Sequence, residues 1–209
     1  MPIVTENLVK EPCPTVFRDS RIVAVDIETT GLNIRFNTII ELGFIEYTNC
    51  VQSRAGTQLF AGGHSPLYLV RQVHRIPDRD RRGLFRKRFE ECAEHVHDLL
   101  EDAVVVTHNG NAFDLPMIQS KLSAAGWPVK KFRSIDTLQL ARKWRKSQGD
   151  ADDDDRRGRN RLGSLCAEFG VQYGGESGDR AHHGLEDAAA CLGLLFKMVN
   201  TGAVILPRL

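Results

Sequence analysis

The 209-residue sequence predicts one α/β domain: a mixed five-stranded sheet, an antiparallel meander followed by parallel strands, with helices on both faces. Three observations predict it. Residues 21–28 are apolar at nearly every position before a pair of carboxylates, as in a central strand covered on both sides. Two further β-rich runs follow with only short connections, which favours a meander. From Phe89 onward the apolar spacing turns helical, and short buried runs then alternate with helical stretches.

Residues 1–20, with Pro2, Pro12 and Pro14, read as a loose N-terminal arm before a domain spanning 21–200 and a tail of 201–209. Ile39 to Thr48 is the second strand, and a weaker third run around Thr57 to Phe60 precedes the Gly62-Gly63 turn. Phe89, Cys92, Ala93, Val96, Leu99 and Leu100 lie at offsets 0, 3, 4, 7, 10 and 11, one stripe of a helix that must face the sheet. Ala103 to Thr107 is a short buried strand. A loop with Gly110 then leads to a helix starting near Asp114, with Pro116 in its first turn and Gly126 past its end. Phe132 to Ile135 reads as the fifth strand, and Asp136 caps a helix carrying Leu140, Ala141 and Trp144. Leu162, Leu165, Cys166 and Phe169 form a short helix stopped by Gly170, and a last helix runs from about Leu185 to Val199. Residues 147–160, where Asp150 and Asp152 to Asp155 are followed by Arg156, Arg157 and Arg159, read as a mobile surface loop.

Lys and Arg total 28 against 27 Asp and Glu, so a uniformly basic coat for nucleic acid is excluded and any basic surface must be local. Cys13, Cys50, Cys92, Cys166 and Cys191 are widely spaced without a C-x-x-C pair, and they read as buried thiols in a reducing compartment. No apolar run approaches the roughly 18 to 20 residues needed to span a bilayer, and the first 20 residues lack a signal-peptide layout, so an intracellular protein without a membrane partner is expected.

Asp26-Ile27-Glu28 ends the first strand. Side chains alternate along a strand, so Asp26 and Glu28 share one face while Ile27 packs on the other. Two unpaired carboxylates at that spacing repel, and a divalent cation between them removes the repulsion. Oxygen ligands favour Mg²⁺ or Mn²⁺ over zinc, and neither the seven histidines nor the five cysteines form a zinc-spaced set. The bland alternative is a solvated strand end. Asp114 is delivered by the loop Thr107 to Phe113 to a helix start, where the helix dipole alone could account for it. Asp187 lies near the start of the last helix, five residues after His182 on a glycine-containing loop, and singly both read as surface residues.

Taken in order, these residues resemble the DEDDh exonucleases of the DnaQ superfamily. Three blocks carry the resemblance: Val25-Asp26-Ile27-Glu28-Thr29-Thr30-Gly31-Leu32; His108-Asn109 followed by Phe113-Asp114; and His182 through Asp187 with H-x-x-x-x-D spacing. Gly110 and Asp114-Leu115-Pro116 look like the TREX branch, though the proline-rich insertion and the membrane-anchoring tail of mammalian TREX nucleases are missing. Smaller similarities are Ile39-Ile40-Glu41-Leu42-Gly43, Val73-His74-Arg75-Ile76, Ser134-Ile135-Asp136 and Leu162-Gly163-Ser164-Leu165.

The resemblance implies an RNase H-like fold and a 3′→5′ exonuclease that uses two Mg²⁺, or Mn²⁺ in their place. Asp26, Glu28, Asp114 and Asp187 would be the metal ligands and His182 the general base, with His183 its neighbour and competitor. It also implies substrate contacts at Thr29, Leu32, Ile76, Asn109 and Phe113, with Leu32 wedged against the last base; Phe113 reads equally as core. The expected partner is the 3′ end of a nucleic acid, DNA by the TREX-like second block, and a homodimer is possible by analogy with TREX. An exoribonuclease and a catalytically silent binding module are the competing readings. Residues 71–88 hold eight basic and two acidic residues, which suits phosphate contacts or a solvated face alike.

Overall fold

A computed structural model describes residues 6–61, 87–127, 131–150, 158–174 and 183–207. Its strands are β1 (Arg21–Thr29), β2 (Ile39–Thr48), β3 (Val51–Leu59), β4 (Val104–Thr107) and β5 (Arg133–Asp136). Its helices are α1 (Ala93–Leu100), α2 (Asp114–Ala124), α3 (Thr137–Ser147), α4 (Leu162–Phe169) and α5 (Gly184–Asn200). The sheet order is β3-β2-β1-β4-β5. The pairs β1–β2 and β2–β3 are antiparallel, while β1–β4 and β4–β5 are parallel. This is the mixed α/β, RNase H-like sheet expected from the sequence.

The alternation of β1 sorts its residues between two layers. Val23, Val25 and Ile27 join Phe89, Val96, Leu100, Met117 and Ile118 in one core, roofed by α1 and α2. Ile22 and Ala24 face the other way, onto Leu192, Leu195 and Phe196 of α5. Both faces of the strand are therefore dry, which explains its unbroken apolar run. A third cluster, including Ala141, Leu165, Leu194 and Met198, ties α3 and α4 to α5. Asp136 caps α3 by accepting from the Leu138 amide at 3.1 Å, and Gly170 ends α4 with φ of 68°, both as the sequence suggests.

Three expectations are corrected. The third strand starts at Val51, not near Thr57, directly after a turn in which Asn49 and Cys50 both have positive φ, 53° and 63°. That turn is hairpin-like, but Asn-Cys lacks the glycine that advertises it, and an edge strand carries too little apolar alternation to be read.

The arm is packed where it is described. Val9 and Phe17 are buried, the Tyr47 hydroxyl contacts Asn7 Oδ1 at 2.9 Å, and Asn200 donates to the Pro12 carbonyl at 2.8 Å. Cys13 and Cys50 are joined in a disulfide that ties this arm to the β2–β3 turn, so they are not thiols; Cys92, Cys166 and Cys191 are the buried free ones.

Of the expected surface loop, residues 151–157 lie outside the described residues, while Asn160 is buried and accepts from Arg145 Nε at 2.9 Å. No helix among the described residues is long and apolar enough to cross a membrane.

Candidate active site

The face of β1 that carries Ile22 and Ala24 continues to Asp26 and Glu28, so the carboxylates point to the side covered by α5. The start of α5 is brought onto them by two glycines. A Cβ on Gly43, the β2 partner of Asp26, would fall 1.9 Å from the Gly184 carbonyl carbon, and one on Gly184 would fall 2.8 Å from the Gly43 amide nitrogen. Only bare backbone on both sides permits that approach. Glu41, paired with Glu28 in the β1–β2 ladder, accepts from the Gly184 amide at 2.9 Å and secures the helix start. Asp187, in the first turn of α5, consequently reaches Asp26 and Glu28: each of the three offers a carboxylate oxygen, and these lie within 4.8 Å of one another.

Asp114 joins from the opposite layer. The loop from β4 places it at the first position of α2, where its Oδ1 accepts from the Ile27 amide, between Asp26 and Glu28, at 3.2 Å. That loop is shaped by Asp136, which accepts from the Asn109 amide at 2.9 Å and the Asn111 amide at 3.2 Å. It is braced by His108, whose ring nitrogens meet Thr137 Oγ1 at 2.8 Å and the Asn160 carbonyl at 2.9 Å. His108 is thus fully committed to structure.

Electrostatically the cluster is strained as a set of anions. Burial, and then the charges of Asp114, Asp187, Glu28 and Glu41, push the Asp26 carboxyl well above its ordinary range. Burial raises Asp114 to about 7 against the hydrogen bonds from the Ile27 and Asp114 amides, with the charges of Glu28 and Asp136 adding to the rise. Burial also raises Glu41, opposed by the Gly184 hydrogen bond. A divalent cation is the simplest partner for such a group, and the all-oxygen donor set of Asp26, Glu28 and Asp187 fits Mg²⁺ or Mn²⁺.

A cleft of about 650 Å³ opens beside the carboxylates, lined among others by Asp26, Asn109, Asn160, Arg161, Tyr173 and Asp187. Tyr173 escaped the sequence reading. Its ring lies against Gly163, and its phenol is pushed up by burial and then by the charge of Asp187, with which it hydrogen-bonds. The sequence assigns Glu41 and Gly43 no role of their own, although both lie in the run Ile39 to Gly43 that carries part of the family resemblance.

Of the other expected site residues, Thr29 is buried, pairs with Ile39 in the β1–β2 ladder and donates its hydroxyl to the Gly31 carbonyl at 2.8 Å. Leu32 is 81% exposed beyond the strand end. Asn109, exposed and with φ of 64°, lines the cleft. Phe113 packs half-buried against the first core, which favours its reading as core. His182 and Ile76 lie outside the described residues, as does most of the basic stretch 71–88. His183 directly precedes α5, half-buried, and its carbonyl accepts from the Asp187 amide at 3.0 Å.

A family model described as an exonuclease, RNase_T, matches residues 23–195. The chain belongs to this exonuclease family, a DnaQ-like one as the three blocks imply. Among curated proteins it is 29% identical over 205 residues to the PolC-type DNA polymerase III of Halalkalibacterium halodurans, covering 94% of this chain and 13% of that one. The chain therefore spans about an eighth of the length of that relative. Among solved structures it resembles E. coli exonuclease I in complex with a dT13 oligonucleotide, with a TM-score of 0.69 at 15% identity over 87% of this chain and 41% of that one. It also resembles the zinc ion bound form of an E. coli ExoI–ssDNA complex, with a TM-score of 0.69 at 13% identity over 88% and 41%. At these identities the structures establish the shared fold.

Proposed function

We propose that this domain is a metal-dependent 3′→5′ exonuclease that removes nucleoside 5′-monophosphates from the 3′ end of DNA, single-stranded by preference. The observation that carries the reading is the convergence of Asp26, Glu28 and Asp187 within 4.8 Å, with Asp114 held against the Ile27 amide between them. Membership of the exonuclease family and the fold shared with a structure holding dT13 support it.

Two Mg²⁺ ions, or Mn²⁺, would activate water and neutralise charge on the scissile phosphate. Asp26, Glu28 and Asp187 would hold the metal beside the attacking water, and Asp114 would complete the ligand set. His182 would accept the water's proton, a general-base role that imidazole suits near neutral pH. Thr29, Leu32, Ile76 and Asn109 would hold the last nucleotides, with the basic residues 71–88 gripping the phosphates upstream.

A single-stranded DNA labelled at its 5′ end, incubated with protein and Mg²⁺, should give a descending ladder. EDTA and Asp26→Asn should abolish it, and His182→Ala should slow it by roughly a hundredfold or more, as expected for a general base. Shortening from the 5′ end, or cutting of a circular strand, would refute the polarity, and a matched RNA oligonucleotide degraded faster than DNA would refute the substrate. Loss of activity in His183→Ala but not His182→Ala would reassign the base.

A further inference from the structure

The loop from β1 to β2 leaves the strand directly after Asp26, Glu28 and Thr29. Among the described residues four large apolar side chains are exposed, and two of them, Leu32 at 81% and Phe36 at 84%, lie on this one loop. Between them Ile34 turns inward and packs on the first core. Isolated exposed apolar residues are ordinary on protein surfaces. This loop, however, is built to hold its shape.

Asn37 Oδ1 accepts from the Asn33 amide at 2.9 Å, and the Asn33 side-chain oxygen accepts from the Arg35 amide at 3.0 Å. The Asn33 carbonyl accepts from the Phe36 amide at 3.2 Å and from the Asn37 amide at 2.8 Å. Thr30 Oγ1 accepts from the Thr38 amide at 3.0 Å, closing the base, and Lys121 Nζ holds the Ile34 carbonyl at 3.3 Å, tying the loop to α2, the helix that begins with Asp114. A bare aromatic ring is thereby carried on a backbone fixed to two of the elements that hold the carboxylates, and little ordering entropy remains to be lost on binding.

We infer that Phe36 is a stacking platform for a nucleobase of the strand being degraded, with the exposed Arg35 next to it answering the strand's phosphates, an inference that rests on the nuclease reading above. A planar ring suits a base of any sequence, and a cation beside it suits the polyanion that carries the base. One phenyl ring and one leucine fall far short of the roughly 1,000 Å² that a stable protein interface buries, which argues against a second copy as the occupant.

Steady-state hydrolysis of a 5′-labelled single-stranded oligonucleotide with Mg²⁺, by the wild type and by Phe36→Ala, Phe36→Leu and Phe36→Trp, tests it. Phe36→Ala should raise KM by roughly five-fold or more with kcat little changed, the effect of losing one base–aromatic stack. Phe36→Trp should restore KM and Phe36→Leu should not. Binding measured by anisotropy, with Ca²⁺ replacing Mg²⁺, should be the same for wild type and Phe36→Ala on an oligonucleotide whose terminal nucleotides lack bases. An unchanged KM in Phe36→Ala, or full restoration by leucine, would overturn the platform. So would a Phe36→Ala defect confined to solution dimer mass. A wild type that shortens no strand would instead remove the nuclease reading itself.

Discussion

Asp114 shows how a single residue carries two opposed requirements. Its place in the fold depends on the Ile27 amide, yet burial and neighbouring carboxylates keep its proton on up to about 7, against an ordinary value of 3.8. Between those values the folded, metal-free protein retains a proton that the unfolded chain has released. Stability therefore falls as pH rises through that window, by roughly 1.4 kcal/mol per pH unit for one such group. In EDTA the protein should melt at a lower temperature at pH 7.5 than at pH 5, and saturating Mn²⁺ should raise Tm more at pH 7.5 than at pH 5. A pH-independent effect of Mn²⁺ would mean that the carboxylates do not share a cation. At this scale Asp26 and Glu28 were legible, because the period of a strand puts i and i+2 on one face. Glu41 and Tyr173 were not, because what gives each its meaning, Gly184 and Asp187 respectively, is settled only when α5 docks.

Among the elements, α5 decides whether a site exists. It covers the α5-facing side of β1 with Leu192, Leu195 and Phe196, and its first turn delivers Asp187 only because Gly43 and Gly184 let two backbones touch. Gly43→Ala should push the helix start off β2, costing about 1 to 3 kcal/mol of stability by overpacking. It should also weaken Mn²⁺ binding measured by calorimetry more than it weakens the fold measured by urea titration. Retention of wild-type Mn²⁺ affinity in that variant would show that the glycine contact does not set the position of Asp187. The helices and central strands were readable from periodicity and caps, whereas β3 was readable only in its second half. Its first residues pair at the sheet edge, where exposure erases the apolar alternation, and its turn uses Asn49 and Cys50 in conformations that glycine usually signals.

On the scale of the whole molecule, the carboxylate end and the arm end lie at opposite ends of β1. Arg21, at the start of the strand, pairs with Thr48 beside the Cys13–Cys50 disulfide, while Asp26 and Glu28 stand at the other end. The crosslink joins residues 37 apart and holds the arm on the hairpin, which in the chain-entropy picture contributes on the order of 3 to 4 kcal/mol. Cys13→Ser/Cys50→Ser, or reduction of the wild type, should lower Tm by several degrees while leaving kcat unchanged, and denatured, non-reduced protein should titrate three thiols. Five thiols would remove the crosslink. The amino-acid sequence by itself determined the layers, most element boundaries, the carboxylate pair on β1 and membership in the exonuclease family, because alternation, caps and ordered blocks are local properties of a chain. Tertiary structure alone decided that Gly43 and Gly184 bring two backbones into contact, that Glu41 secures α5, that the arm is stapled down and that Phe36 stands bare, because each depends on residues far apart in the chain being packed, or left unpacked, against one another.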